Sequence, residues 1–521
     1  MRWYGPQDTT GLDYARDLGD PGEYPYTRGR RPIDTTSSWI QRELSGEGSP
    51  SRSNGQFRGL IAAGATGVDV IGDTATMALI DPDHSMAAAS VGTTGVSLCR
   101  LADYIELYDE MPLDRITVSH SLNAPFCVAG LNLAARHHGY DAAQVRGSVI
   151  NAPIYSEDCG YATHMPYDLR VRLALDTITF CVKEMPKFHS FVEDTYYISD
   201  GGLDVVEEMA LGFVEIREVT RRLIERGLSV DSFAPRIAIL VNCRMDLFEE
   251  VAKVRASRRM YARMMREEYG ATDPRSLAVN ISVHTSGLTM TAPQPVNNVV
   301  RGAVQALAMA MAGVQAIEIS TFDEAFRTPG HEAHIVALRT QQVIAEETGV
   351  SKVVDPFGGS WFIESRTDEL EDRISNKIAE IERKGEISVL AEDGYFRSIL
   401  NDGMSRHARA IQSGELRQVG VNCHTMPPAE DTLLRDLSES RFAPDTAHIA
   451  RIRDWKSTRH PDRLAHALAA ISQAAKDPEA DLMAPIIDGY QADATQGEMA
   501  SALRLGYGLA ADPFAGKVVS R

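Results

Sequence analysis

The run Arg236-Ile237-Ala238-Ile239-Leu240-Val241-Asn242, the amphipathic stretch 245–268 and the run Leu277-Ala278-Val279-Asn280-Ile281-Ser282-Val283-His284 decide the fold. Short β-branched segments bounded by polar residues read as strands, and a long stretch with apolar residues every three or four positions reads as a helix. The same alternation extends in both directions. Further strand-like runs fall at 67–73 (GVDVIGD), 115–119 (RITVS), 147–151 (GSVIN), 190–195 (SFVEDT), 315–320 (QAIEIS) and 352–355 (KVVD). Helical patterns occupy 125–138, 169–184, 203–226, 297–312 and 332–347. Such strand–helix repeats require parallel strands with right-handed crossovers, and a closed barrel leaves no sheet edge exposed. The expected fold is therefore α/β, a (β/α)8 TIM barrel, with a doubly wound open sheet as the competitor.

Outside the repeats the chain changes character. The first sixty residues are rich in Gly, Pro, Ser, Arg and Asp and show little periodicity, so an extended N-terminal arm is expected over 1–60, the barrel over 61–365, and a helical C-terminal region over 366–521, with helices at 366–384 and 461–476. The formal charge of −19 opposes a nucleic-acid backbone or an anionic membrane as main partner. Six cysteines without a CxxC pair, no apolar signal core and no run of about 20 apolar residues give the expectation of a cytoplasmic protein without disulfides.

In a barrel of this kind the chemistry collects where strands end. Asp69, Asp73, His120, Asn123, Asn151, the run Glu193 to Tyr197, Asn242, His284, the run Ser320 to Glu324, and Asp355 all fall at or near such ends. Any one of them is as readily a helix cap or a partner for loop amides; their joint placement is the signal. Several residues within the strands are polar as well, among them Asp69, Thr117, Ser119, Ser148, Glu193, Asn280 and Ser282. Barrel interiors are ordinarily filled by Val, Ile and Leu, so an open axial channel is expected. Three tempting motifs fail on spacing. His331-Glu332-Ala333-His334 sets its histidines three apart and is no HExxH zinc helix, both being expected on a solvated helix face; Gly358-Gly359-Ser360 lacks a GxSxG; and no GxxxxGK[ST] loop occurs.

Longer stretches carry a resemblance. Tyr24-Pro25-Tyr26-Thr27-Arg28-Gly29, Phe233-Ala234-Pro235-Arg236, Glu250-Val251-Ala252-Lys253-Val254-Arg255-Ala256, Thr285-Ser286-Gly287, Asn297-Asn298-Val299-Val300-Arg301, Phe322-Asp323-Glu324-Ala325 and Asp355-Pro356-Phe357-Gly358-Gly359-Ser360 follow in unbroken order. Together they resemble the large, substrate-binding chain of the adenosylcobalamin-dependent acyl-CoA mutases, the methylmalonyl-CoA mutase family. The resemblance implies an isomerase that performs a radical 1,2-rearrangement, with the coenzyme A arm threaded down the barrel and adenosylcobalamin over its mouth. It also implies a cobalt-ligating DxHxxG motif on a separate domain. None occurs in these 521 residues, so a small cobalamin-binding partner subunit is expected, in a heterodimer or heterotetramer, with no metal ligand in this chain.

Position by position, the resemblance puts Arg42, Lys187, Arg236 and Arg275 along the thioester and nucleotide path and Ser119 and Ser121 on the channel wall. Guanidinium and ammonium groups suit phosphate and carbonyl oxygens. Thr94, Asp200, Gly287, Leu288, Glu324 and Ala325 match positions that face the corrin or adenosyl group. The departures lie at the reaction centre. The family's Gly-Tyr-His becomes Thr195-Tyr196-Tyr197, which makes Tyr197 the expected donor to the thioester carbonyl beside Tyr196. Leu44 replaces a radical-flanking tyrosine, His284 replaces a glutamine, and Asp69 and Ile71 replace small residues. Segment 152–164 offers no clear match to the arginine that binds the methylmalonyl carboxylate, and Arg30-Arg31-Pro32-Ile33-Asp34 replaces an aromatic segment, with expected loss of contacts to the coenzyme A tail. These changes point to a hydroxylated, branched or amino-bearing acyl group. A degenerate mutase that serves as a binding partner and a cobalamin-independent barrel lyase or aldolase, with Tyr197 and His284 as acid and base, stay open on sequence.

Overall fold

The computed structural model describes residues 3–31, 38–159, 163–438 and 442–515. Nine strands are present: β1 (Ile40–Gln41), β2 (Leu44–Ser45), β3 (Gly67–Ile71), β4 (Thr117–Ser121), β5 (Arg146–Ile150), β6 (Phe188–Asp194), β7 (Ile237–Cys243), β8 (Asn280–Thr285) and β9 (Ala316–Glu318). Their hydrogen-bonded order is β1-β9-β8-β7-β6-β5-β4-β3-β2, and the registered pairs are parallel. Chain-ordered parallel strands with a helix after most of them make this an α/β barrel fold, and after Glu318 the described chain forms no further named strand, only helices and turns. Two compact units divide the chain, residues 1–43 with 192–440 and residues 44–191 with 441–521.

Seven of the expected strands form where the β-branched runs lie, and the eighth does not. Residues 350–352 make a single helical turn, and Val353 and Val354 are exposed. Asp355 takes a left-handed backbone (φ 46°) because its carboxylate is claimed by Arg28 at 3.0 Å and by the buried Arg255. Its place in the strand order goes to the N-terminal arm. β1 pairs with β9 and β2 pairs with β3, with only Arg42 and Glu43 between them. Arg255 belongs to a ladder on the helix Leu247–Arg263: Arg255 also reaches Glu364, Arg259 reaches Asp368 and Glu371, and Arg263 reaches Glu371 and Asp17. This ladder fastens the start of the chain and the helix Trp361–Glu382 to one helix face, an i, i+4, i+8 spacing. A second expectation is corrected in the same unit. His331 is exposed, but His334 is buried, and burial pushes its pKa down to about 4.

Strand alternation sorts the side chains. In the unit 44–191, Val68, Val70, Val118 and Val149 are fully buried on one face, while Leu44, Asp69, Ser119 and Ser148 stand in one row on the other. In the unit of 192–440, Ile239, Val241, Ile281 and Val283 are fully buried, and the opposite face carries the row Asn242, His284 and Glu318 above the row Leu240, Ser282 and Ala316. Each apolar face packs under amphipathic helices, and most polar residues within the strands fall on the other face; His120, in register with Val70 and Val149, is a buried exception that pairs with the Tyr108 hydroxyl.

One carboxyl breaks this pattern. Glu193 on β6 faces the helix Val205–Glu225, where Gly212 leaves it space, and it is fully buried with Glu215. Neither of its oxygens meets a hydrogen-bond donor among the described residues. Burial first, then the charges of Glu215 and Asp194, hold its pKa well above the usual carboxyl range. A carboxyl whose pKa rises on folding holds its proton more tightly in the folded state, so it costs stability as pH climbs above the unfolded value of about 4.3. Glu193→Gln should therefore raise the melting temperature at pH 8 by about 2 °C or more and leave it nearly unchanged at pH 4. Thermal unfolding followed at both pH values checks this, and equal pH dependence in variant and wild type would contradict it.

Candidate functional site

The ends of β6 to β9 gather one constellation within the unit that holds residues 192–440. Asp194 closes β6 and caps the short helix Thr195–Asp200, its carboxylate accepting from the Tyr197 amide at 3.2 Å. The cap fixes where Tyr196 and Tyr197 project. Tyr196 is buried and its ring stacks on the imidazole of His284, with centroids 4.6 Å apart and planes 8° from parallel. Tyr197 is half-buried and meets Tyr196 edge-on at 5.6 Å. Burial, followed by the charges of Asp200 and Glu324, raises the Tyr196 pKa well above that of a free phenol, so its proton stays on.

Asp200, at the end of the same helix, has a defined setting. Its Oδ1 accepts from Asn242 Nδ2 at 2.8 Å and from Ser286 Oγ at 2.9 Å. A Cβ on Gly287 would lie 3.1 Å from both Asp200 Oδ2 and the Tyr196 hydroxyl, so only glycine fits there without crowding. Glu324 accepts from the Thr321 amide at 3.0 Å, and its pKa is raised by burial against the lowering effect of His284. Leu288 is half-buried beside Gly287, and Ala325 is exposed. Behind the strand, the buried Lys253 ammonium donates to Glu208 and to the carbonyl of Asn242 at 2.7 Å, which pins the end of β7. Asn242 and Ser286, which position Asp200, carry no signal of that role in the sequence.

The expected cations are placed as follows. Arg236 stands one residue before β7, and Arg275 lies in the turn before β8, exposed and paired with Asp273 at 2.6 Å. Lys187 precedes β6 in the other unit, half-buried and donating to Gln144. All three therefore sit at strand starts. Arg42 is buried in an ion pair with Glu318. Its charge is balanced by that carboxylate. A further cation appears at the strand starts. Arg30 donates to the Ala278 carbonyl at 2.8 Å, and burial together with the charges of Arg31 and Arg236 brings its pKa down to about 10. Arg30 lies near enough to Arg31 and Arg236 to feel both charges. Pro32, Ile33 and Asp34 lie outside the described residues.

In the unit 44–191, Leu44 pairs in register with Asp69, Asp69 with Ser119, and Ile71 with Ser121. Asp69 is buried and accepts from Ser121 Oγ at 3.3 Å, while Ser119 and Ser148 share a hydrogen bond. Thr94 is exposed, its hydroxyl 3.2 Å from that of Thr74. A cavity of about 70 Å³ opens at the ends of β4 and β5, walled by Leu122, Phe126, Ile150 and Met165, with Asn151 and Arg170 among its polar lining. Arg170 donates to the Ile154 carbonyl at 3.1 Å and to Ser156 Oγ at 3.3 Å. Within the divergent segment 152–164, residues 160–162 lie outside the described set.

The site thus offers a stacked phenol and imidazole, two carboxyls, a glycine cradle, a polar strand face and a guanidinium cluster at the strand starts. The family description "Methylmalonyl-CoA mutase" matches residues 1–509. The large subunit of 2-hydroxyisobutanoyl-CoA mutase from Aquincola tertiaricarbonis is 34% identical over 492 residues, which is 94% of this chain and 87% of that one. Methylmalonyl-CoA mutase from Rhizobium meliloti is 31% identical over 97% of this chain and 71% of its own length, and the human mitochondrial enzyme is 29% identical over 97% and 67%. No helix among the described residues is long and apolar enough to cross a membrane. This chain belongs to the methylmalonyl-CoA mutase family.

Proposed function

We propose that this chain is the substrate-binding subunit of an adenosylcobalamin-dependent carbon-skeleton mutase acting on an acyl-CoA other than methylmalonyl-CoA. A hydroxylated, branched or amino-bearing acyl group fits best. The observation that carries this is the chemistry around the Tyr196–His284 stack: Asp200 and Glu324 bring two carboxyls, and Asn242 and Ser320 bring neutral groups. Arg244, one residue past β7, donates to the Ser199 carbonyl at 2.6 Å, so a second carboxylate on the acyl group would have to displace that contact and be desolvated against Asp200 and Glu324, at a cost of several kcal/mol. The similarity to a chain named as a 2-hydroxyisobutanoyl-CoA mutase large subunit supports the same direction and a small partner subunit, to which we assign the DxHxxG motif.

The residues present fit the cofactor. Gly287 keeps clear the space in front of Tyr196 and Asp200 that a flat macrocycle or its adenosyl group would need, with Leu288, Glu324 and Ala325 following on the same strand-end loops. When bound, adenosylcobalamin supplies the radical chemistry of the 1,2-rearrangement. The chain's own residues bind and orient. Arg30, Arg236 and Arg275 suit the phosphates at the strand starts, and Ser282 suits the polar arm. The Tyr196 hydroxyl is turned to Asp200, and the half-buried Tyr197 is assigned as donor to the thioester carbonyl from its place after β6.

Three outcomes follow from this assignment. The isolated chain should not retain adenosylcobalamin tightly, and equilibrium dialysis with and without a small DxHxxG subunit measures this; stoichiometric retention by the chain alone contradicts it. In the reconstituted complex, methylmalonyl-CoA should turn over at least about a hundredfold more slowly than a hydroxylated or neutral acyl-CoA, and comparable rates would show that Arg170 or another cation holds the carboxylate. Tyr197→Phe should lower turnover roughly ten- to a hundredfold while folding and assembly persist, the effect of losing one neutral donor to the substrate carbonyl. Wild-type rates in Tyr197→Phe would remove it from the mechanism.

A further inference from the structure

His284 is held in one protonation pattern by a neighbour that sequence reading did not single out for that role. Its Nε2 lies 3.1 Å from Ser320 Oγ. Ser320 Oγ also lies 2.6 Å from the carbonyl oxygen of Thr285. A carbonyl oxygen only accepts, so the single hydroxyl proton of Ser320 is committed to Thr285 and the contact with His284 must be made by a proton on Nε2. Ser320 has little freedom to turn away, because its own amide donates to Thr285 Oγ1 at 2.8 Å and the residue is buried. The imidazole plane is fixed as well, by the parallel ring of Tyr196. In the neutral ring Nδ1 is then a bare acceptor. His284 stands on the polar face of β8, in register with Asn242 and Glu318 and opposite in direction to the fully buried Val283.

We infer that Ser320 locks His284 as the Nε2–H tautomer, and that the bare Nδ1 is the acceptor which selects an acyl group bearing a hydroxyl or amine donor. The selection rests on the mutase reading above; the tautomer does not. A carboxylate or an alkyl group offers Nδ1 nothing, and a carboxylate is further opposed by Asp200 and Glu324. Ser320 acts through His284 and is a positioning residue. A ribose hydroxyl of the adenosyl group has the same donor chemistry, and the test separates the two sources.

The experiment has two arms on the full chain. Nitrogen-15 NMR of the ligand-free protein, with His284→Gln to assign the signal, should show a protonated Nε2 and an unprotonated Nδ1 above the pH at which the ring is neutral; Ser320→Ala should bring the two tautomers into exchange. A protonated Nδ1 in wild type would overturn the lock. In the complex with the small subunit, dissociation constants are measured for a matched pair, a hydroxyacyl-CoA and the same thioester without its hydroxyl. Wild type should favour the hydroxyacyl-CoA roughly tenfold, and His284→Phe and Ser320→Ala should erase most of that ratio by weakening only the hydroxylated member. Equal binding of the pair by wild type would overturn the selection alone. Weakened adenosylcobalamin binding in both variants with an unchanged ratio would assign the acceptor to the ribose and overturn it too. Binding of neither thioester would overturn the mutase reading while the NMR result stands.

Discussion

The pairing register of β7, β8 and β9 is the constraint on which the site depends. Because parallel partners point the same way, fixing Ile239, Val241, Ile281 and Val283 under the helices forces Asn242, His284 and Glu318 together on the other face. A slip of one residue would bury the polar row under the helices and turn the aliphatic row outward. The hydrophobic packing therefore sets the position of each polar group as well as the stability of the sheet. Tyr196 then reaches His284 only because Asp194 caps the helix that carries it.

Around this frame the electrostatics are divided by level. Guanidinium groups collect at the strand starts, where Arg30, Arg31 and Arg236 approach closely enough to lower the pKa of Arg30. At the strand ends neutral and acidic groups surround the stack, Arg244 is engaged by the Ser199 carbonyl, and Arg42, between β1 and β2, is neutralised by Glu318. A ligand with phosphates at one end and a small group without negative charge at the other matches this polarity. Buried carboxyls near the strand ends, Glu43, Glu193, Glu208 and Glu324, have pKa values raised by burial, which limits the negative charge held there.

Much of this was legible in the sequence, for identifiable reasons. Strands of three to seven residues with β-branched cores, and helices such as Asn297–Ala312 and Pro461–Lys476, declare their period. Strands β1 and β2 do not, since two residues cannot show an alternation, and the apolar Val353 and Val354 imitate a strand that Asp355 prevents. The burial of His334 is set by tertiary packing that its local spacing does not encode. At the site, polar residues at strand ends pointed to His284 and Glu324, and the family resemblance alone added Asp200. What stayed hidden were relations between distant residues: Arg30 reaching the start of β8, Asn242 and Ser286 converging on Asp200, and Ser320 fixing the proton of His284.

The central claim is that one thioester ligand spans from the guanidinium cluster to the Tyr196–His284 stack along the polar strand face. A crystal structure of the chain with its small subunit and a non-hydrolysable hydroxyacyl-CoA analogue tests it most directly. The account predicts nucleotide phosphates within hydrogen-bonding distance of Arg30 or Arg236, and the acyl group beside Tyr197 and His284. Electron density for the analogue on the outer helical surface, or with its acyl end directed at the strand starts, would contradict it.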